Sequence, residues 1–283
     1  MDMTQIKRLR DETGAGMLDC KKALESSSGD YENALNFLQN LTHKNDGNTR
    51  VASKGLCRVV IDQNHAILFE VNAETDFVSK NEHFIKLMED LGTNLIKSKA
   101  TNPKDAQLVI IDNISVKQKI LQVSSIIKEN AQLRRFYRVI KSDEQGFGSY
   151  IHQGGKIVTL VILDQKNQEI ADTLAMQVAA NSPLYLDPKA IDSNTLDYEK
   201  MMYEKSHPSS DQNQFENYLN DISLLTQSYI KNPDMKVTDL LEKNHLKVID
   251  FFRFELGQGI DNKLNCKLDV PCDGSPITVM PIY

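Results

Sequence analysis

The segment at residues 70–84 reads EVNAETDFVSKNEHF and sets two carboxylates, Glu74 and Asp76, two positions apart and beside the aromatic ring of Phe77. Paired carboxylates can divide general acid and base work, but only within a pocket that separates their proton affinities, and spacing alone supplies no pocket. A carboxylate adjoining an aromatic is also the composition of a partner-facing anchor, in which the ring carries affinity. The plain alternatives are that Asp76 is a turn residue bonding its own backbone and that Phe77 turns inward to the core.

Other chemistry is thinly represented. Cys20, Cys57, Cys266 and Cys272 are scattered, without the close pairs of a zinc ribbon or a redox motif, and read as reduced thiols. His43, His65, His83, His152, His207 and His245 never fall at the i, i+4 spacing that puts two ligands on one helical face, so no metal site is expected. Gly257-Gln258-Gly259 lacks the third glycine and the strand-to-helix context of a dinucleotide loop, and Gly154-Gly155-Lys156 lacks the preceding glycine of a phosphate loop. Arg134-Arg135, next to Tyr137, read as the flank of a solvated strand edge and receive no site. With no nucleophile elbow and no HExxH helix, the chain reads as a non-enzyme without a cofactor.

The elements that must position the 70–84 segment are legible on both sides of it. Residues 57–62 (CRVVID) and 65–71 (HAILFEV) are β-branched runs around Gln63-Asn64, the pattern of an antiparallel hairpin whose second strand leads to Asp76. Ser79 and Glu82 match a capping box, and Phe84, Met88, Leu91 and Leu95 mark one buried face of the helix it would start. Thr75–Val78 is thus expected on a loop between a strand end and a helix start, where scaffolds present functional residues.

Upstream, Ile6 and Leu9, then Cys20, Ala23 and Leu24, then Tyr31, Ala34, Leu35 and Leu38 give three short amphipathic helices, separated by Gly14-Ala15-Gly16 and by Ser28-Gly29 with Asp30 as the third N-cap. Residues 42–50 (THKNDGNTR) are nearly devoid of apolar side chains and read as a linker. Downstream, helices are expected after Asn102-Pro103 and after Ser115, followed by a strand (QLRRFYRVIK), a hairpin turning at Gly154-Gly155, and a helix through Ile170, Leu174 and Val178. A helical pair comes next, residues 195–206 and then Phe215, Tyr218, Leu219, Ile222 and Leu225 in phase, before a short helix and the strand VIDFFRFEL. The repeated order of hairpin then helix predicts two related subdomains. The fold class is therefore α+β: a helical module at 1–41, a linker at 42–54, core subdomains with antiparallel sheets at 55–140 and 141–260, a helical hairpin at about 195–230, and a tail at 261–283.

Composition bounds the function. A chain of 283 residues, 40% hydrophobic and 25% charged, has the make-up of a globular protein, and its formal net charge of −6 argues against holding nucleic acid by phosphate neutralisation. No apolar run approaches the ~20 residues of a membrane span and the first residues lack the core of a signal peptide, so a cytoplasmic location is expected.

TGAGMLDCKKAL (13–24), VNAETDFVSKN (71–81), AMQVAANSPLYL (175–186) and FFRFELGQGI (251–260) resemble, in order, the signature segments of the bacterial elongation factor Ts family. The resemblance implies a guanine-nucleotide exchange factor for elongation factor Tu, with a ubiquitin-associated-like helical module, two core subdomains and a coiled-coil arm. It implies that Asp76 and Phe77, within Thr75–Val78, push into the GTPase near its magnesium site, and that Met17, Leu18 and Lys21 touch the nucleotide-binding domain. Gln177 stands where the family often has a histidine, and the resemblance makes it a further partner contact. No direct binding of nucleotide, nucleic acid or membrane is implied. The other function class weighed is an adaptor whose helical module and core bind something else.

Overall fold

The computed structural model describes residues 3–13, 17–42, 52–209 and 211–260. The expected break at Gly14-Ala15-Gly16, most of the expected linker and residues 261–283 lie outside the described residues.

Three helices open the chain: α1 (Met3–Thr13), α2 (Met17–Ser26) and α3 (Tyr31–Thr42). Their apolar stripes meet in a small core of Ile6, Leu9, Cys20, Ala23, Leu24, Ala34 and Leu38, which is the phase expected of amphipathic helices. Gly29 ends α2 at φ +84°, a left-handed conformation that costs glycine nothing. Asp30 then caps α3, its Oδ1 accepting from the Asn33 N–H at 3.0 Å.

The described chain divides into two compact units, one built on Ile67–Arg138 with the N-terminal residues and the segment from Leu256, the other on Ile61–Ala66 and Val139–Glu255. In the first, β1 (Lys54–Asp62), β2 (His65–Ala73) and β5 (Gln132–Ile140) form a sheet in the order β1-β2-β5. Between β2 and β5 run α4 (Glu82–Lys97), α5 (Pro103–Leu108), the two-residue strands β3 (Ile110–Ile111) and β4 (Ile114–Ser115), and α6 (Val116–Ile127). Phe84, Leu87, Met88, Leu91 and Leu95 of α4 join Ile67, Phe69 and Val71 of β2 in one core. Every residue of β2 after His65 is buried. That leaves Glu70, fully buried, to find partners within the protein.

Those partners are Arg134 and Arg135. Glu70 accepts from Arg134 Nη1 at 3.2 Å, from Arg135 Nε at 2.5 Å and from the Gly257 N–H at 2.9 Å. The two arginines therefore do not flank a solvated edge: β5 turns them toward a buried charge that no local pattern announces. Arg138, on the same strand, donates to the carbonyls of Leu95 at 2.5 Å, Ile96 at 3.2 Å and Ala100 at 2.7 Å, satisfying the C-terminal end of α4.

The second unit repeats the plan. The hairpin β6 (Gly146–His152) and β7 (Ile157–Leu163) is followed by α7 (Gln168–Asn181), and β10 (Val248–Glu255) returns antiparallel to the free edge of β7, giving the order β10-β7-β6. In both sheets the second strand of the hairpin is central and the last strand closes its far edge. Gly148 permits the close approach of α7, since a Cβ there would come within 2.1 Å of the Ala171 carbonyl carbon. Before β10 come α8 (Ser193–Ser206), α9 (Gln212–Asp221), the short ribbon β8 (Ser228–Tyr229) and β9 (Asn232–Lys236), and α10 (Val237–Lys243).

Helices α8 and α9 share a ring cluster in which Tyr203 stacks on His207 and Tyr218 with centroids 4.5 Å and 4.7 Å apart. Glu199 accepts from the hydroxyls of Tyr185 at 2.6 Å and Tyr218 at 2.9 Å. Burial first, and then this carboxylate, push the Tyr218 phenol up to about 12 and Tyr185 higher still, so both remain donors. The helical phase expected to run through Ile222 and Leu225 stops earlier: α9 ends at Asp221, and Leu224–Thr226 is a 3-10 turn that buries Leu224.

Replacing Glu70 by alanine leaves Arg134 and Arg135 without their buried acceptor and should lower stability by about 3–5 kcal/mol in urea unfolding, the cost of breaking a buried ion pair. Cys57 lies in the same region, and burial, reinforced by Glu70, holds its thiol far above the usual range. Since the thiolate is the reacting species, peptide-resolved alkylation at pH 8 should label Cys57 slowly in the folded protein and completely in denaturant.

Candidate partner-binding turn

Strand β2 ends at Ala73, and Glu74 and Thr75 carry the chain out of the sheet, Thr75 in an extended conformation at φ −125° and ψ 161°. Asp76–Lys80 then winds into a 3-10 turn, so the expected loop has regular structure. Ser79 Oγ donates to the Asp76 carbonyl at 2.7 Å, closing the turn from within. Val78 is buried to 1% exposure and anchors the turn in the first core. Asn81 is the true cap of α4, its Oδ1 accepting from the N–H groups of His83 at 2.9 Å and Phe84 at 3.3 Å. Ser79 and Glu82 therefore form no capping box; Asn81 stands one residue before the helix, where a side-chain oxygen reaches the first free amides.

With Val78 turned in, its neighbour is turned out. Phe77 is 78% exposed and Asp76 is exposed with it. The core-residue alternative for Phe77 is excluded by this placement. Glu74 faces another way, its Oε1 accepting from the Asn130 N–H at 3.2 Å. Glu74 and Asp76 are thus not gathered around a common pocket for acid and base work. Among the described residues no cluster of three or more His, Cys, Asp or Glu side chains could hold a metal ion, and no helix is long and apolar enough to cross a membrane.

Thr75 is the most tightly held residue of the four. Its N–H and its hydroxyl both donate to the carboxylate of Glu129, at 2.8 Å and 2.5 Å. Together with Glu74 and Asn130 this makes a two-way tie between the exit of β2 and the connection from α6 to β5. Sequence reasoning passed over Glu129, Asn130 and Asn81. Only Asn81 left a local signal, an Asx residue directly before a helical stripe; Glu129 lies 54 residues from its partner.

In the helical module Met17 is 39% and Leu18 72% exposed, and neither enters the module's core; Lys21 is exposed and forms a 3.9 Å surface pair with Glu25. All three are exposed, whereas Cys20, Ala23 and Leu24 of the same helix are buried. Gln177 is elsewhere altogether. It is fully buried in α7, donating from Nε2 to Ser228 O at 2.9 Å and Gln227 Oε1 at 3.2 Å and accepting from the Ile230 N–H at 2.9 Å. The expectation of a surface contact at Gln177 does not fit this placement: its amide fastens α7 to the β8–β9 ribbon because a buried amide must spend its hydrogen bonds internally.

These features define an α+β protein with two three-stranded sheets and an exposed acidic-aromatic turn. A family model described as Elongation factor TS matches residues 74–258, starting at the turn itself. The elongation factor Ts of Acholeplasma laidlawii (strain PG-8A) is 36% identical over 277 residues, covering 92% of this chain and 94% of its own. That of Phytoplasma australiense is 34% identical over 267 residues, 89% of this chain and 96% of its own, and that of Phytoplasma mali (strain AT) is 33% identical over 276 residues, 92% and 99%. The chain belongs to the elongation factor Ts family, and so to the translation elongation factors of protein biosynthesis.

Gln177→Ala should lower stability by about 1–3 kcal/mol, since it removes a fully buried amide that bonds Gln227, the Ser228 carbonyl and the Ile230 N–H. Urea unfolding measures the loss, and the folded fraction should bind its partner with undiminished affinity.

Proposed function

We propose that this chain is a cytoplasmic guanine-nucleotide exchange factor that binds elongation factor Tu, disturbs its magnesium and phosphate site through Asp76 and Phe77, and promotes GDP release so that GTP can enter. The observation that carries this reading is the exposed phenyl ring of Phe77 on a turn fixed from both ends, by Val78 and the Asn81 cap on one side and by Thr75 on the other. A ring held in place before contact loses little freedom on insertion, so most of the energy from its burial, about 1.5–3 kcal/mol, is available to displace something else.

What it displaces must be sensitive to small shifts, and bound nucleotide is. Mg²⁺ requires near-ideal octahedral geometry and bridges the phosphates to the GTPase, so slight intrusion at its site weakens the nucleotide strongly. Linkage fixes the rest: a factor that binds the empty GTPase more tightly than the loaded one weakens nucleotide by the same ratio, and fresh nucleotide expels the factor. No bond is made or broken, and the factor needs no cofactor. Met17, Leu18 and Lys21, exposed on α2, supply a second contact to the nucleotide-binding domain in this reading.

Release of a fluorescent GDP from elongation factor Tu tests the proposal. Substoichiometric amounts of the protein should accelerate release, and Phe77→Ala and Asp76→Ala should each slow it, Phe77→Ala by about tenfold or more if the burial energy above is lost. Both residues are exposed, so stability should shift by no more than about 0.5 kcal/mol. Unimpaired exchange in both variants would remove the turn from the mechanism.

A further inference from the structure

We infer that Glu129 is a positioning residue for exchange: its carboxylate fixes the backbone from which Phe77 projects, without itself touching the partner. The inference rests on the reading of Phe77 given above and adds a residue that the reading does not contain. Of Thr75–Val78, the structure turns only Asp76 and Phe77 outward. Thr75 is committed inward by two bonds to one carboxylate, at 2.8 Å from its N–H and 2.5 Å from its hydroxyl. Bonds to an ionised acceptor are the shorter and stronger kind, and a pair of them from one residue fixes both its backbone and its side-chain torsion.

A tether holds only as firmly as its own base. Here the base is the end of α6, where Lys128 takes a left-handed conformation at φ +58° and its N–H returns to the Ser124 carbonyl. The Glu129 N–H bonds the same carbonyl at 3.3 Å, and Ser124 Oγ accepts from the Ala131 N–H at 3.0 Å, so one serine secures the connection on both sides of Glu129. The neighbouring bond from Asn130 N–H to Glu74 runs in the opposite sense. A single cross-link would leave the exit of β2 free to swivel, whereas two in opposite senses define its direction. Without the Glu129 carboxylate, both Thr75 donors lose the acceptor that ties them to the protein, and the ring must be ordered during docking instead of before it.

The experiment compares wild type, Glu129→Ala, Thr75→Val, Phe77→Ala and the double variant Glu129→Ala/Phe77→Ala in fluorescent GDP release from elongation factor Tu, each titrated to saturation. A merely destabilised protein loses active fraction, which saturation restores; a mispositioned ring lowers the maximal rate and saturation does not restore it. Expected are maximal rates down several-fold, on the order of tenfold, for Glu129→Ala and Thr75→Val. The double variant should match Phe77→Ala alone, because there is no ring left to position. If Glu129→Ala fails to fold, Thr75→Val, which removes the hydroxyl bond from the other end at equal volume, decides by the same maximal-rate criterion. Wild-type maximal rates in Glu129→Ala and Thr75→Val alongside a slow Phe77→Ala would overturn the inference and leave the Phe77 reading standing. Losses that multiply in the double variant would also overturn it, since Glu129 would then act independently of the ring. A wild-type rate in Phe77→Ala overturns the parent reading and this inference with it.

Discussion

A carboxylate buried in the middle of a central strand constrains the first unit more than any other single feature. Strand β2 is enclosed along its length, and Glu70 is the charge that enclosure does not tolerate alone. Its compensation brings Arg134 and Arg135 of β5 and the Gly257 amide to the same carboxylate. Strand order, the placement of β5 and the docking of the Leu256 segment therefore answer to one ion. Such an arrangement contributes little net stability relative to an apolar core, but every misregistered pairing of β5 leaves a charge unmatched, which is a large penalty for the wrong structure.

Enclosure of β2 also fixes where the turn that follows it begins. A strand with no freedom delivers the chain to a fixed point, and from there each residue of the turn has a separate fastening: Thr75 to Glu129, Val78 to the apolar core, Ser79 to the Asp76 carbonyl, Asn81 to the start of α4. Of Thr75–Val78, the side chains left facing outward are those of Asp76 and Phe77. The alternation of inward and outward side chains follows from the tight winding of a 3-10 turn, in which adjacent residues face different sides.

How much of this was readable depended on how locally each feature was encoded. The hairpins announced themselves through β-branched runs and two-residue turns, and α4 through Phe84, Met88, Leu91 and Leu95 in phase, because periodicity is a property of neighbours. The α4 cap was misassigned since Ser79 and Asn81 offer competing signals two residues apart, and the 3-10 turn consumed Ser79. The ion pairs of Glu70 and the ties of Glu129 join positions 64 and 54 residues apart, and nothing near either end predicts them. Gln177 had a different failing: in AMQVAAN it is the one amide on a buried helical face, a pattern that points to an internal partner, but the family likeness drew it outward. Ile222 and Leu225 keep helical spacing in the sequence, yet the chain leaves α9 at Asp221 and the 3-10 turn after it buries Leu224 instead.

The closing strand of the second sheet has a bearing on how the protein is made. Strands β6 and β7 are neighbours in sequence and can pair as soon as both have left the ribosome, whereas β10 is synthesised only after α7, α8, α9 and α10. Until it arrives, the strongly apolar β7, buried at nearly every position in the finished fold, has an unpaired edge. An exposed edge of that kind is a template for the wrong chain. The interval between the synthesis of β7 and that of β10 is therefore one in which this edge is open to pairing with another chain.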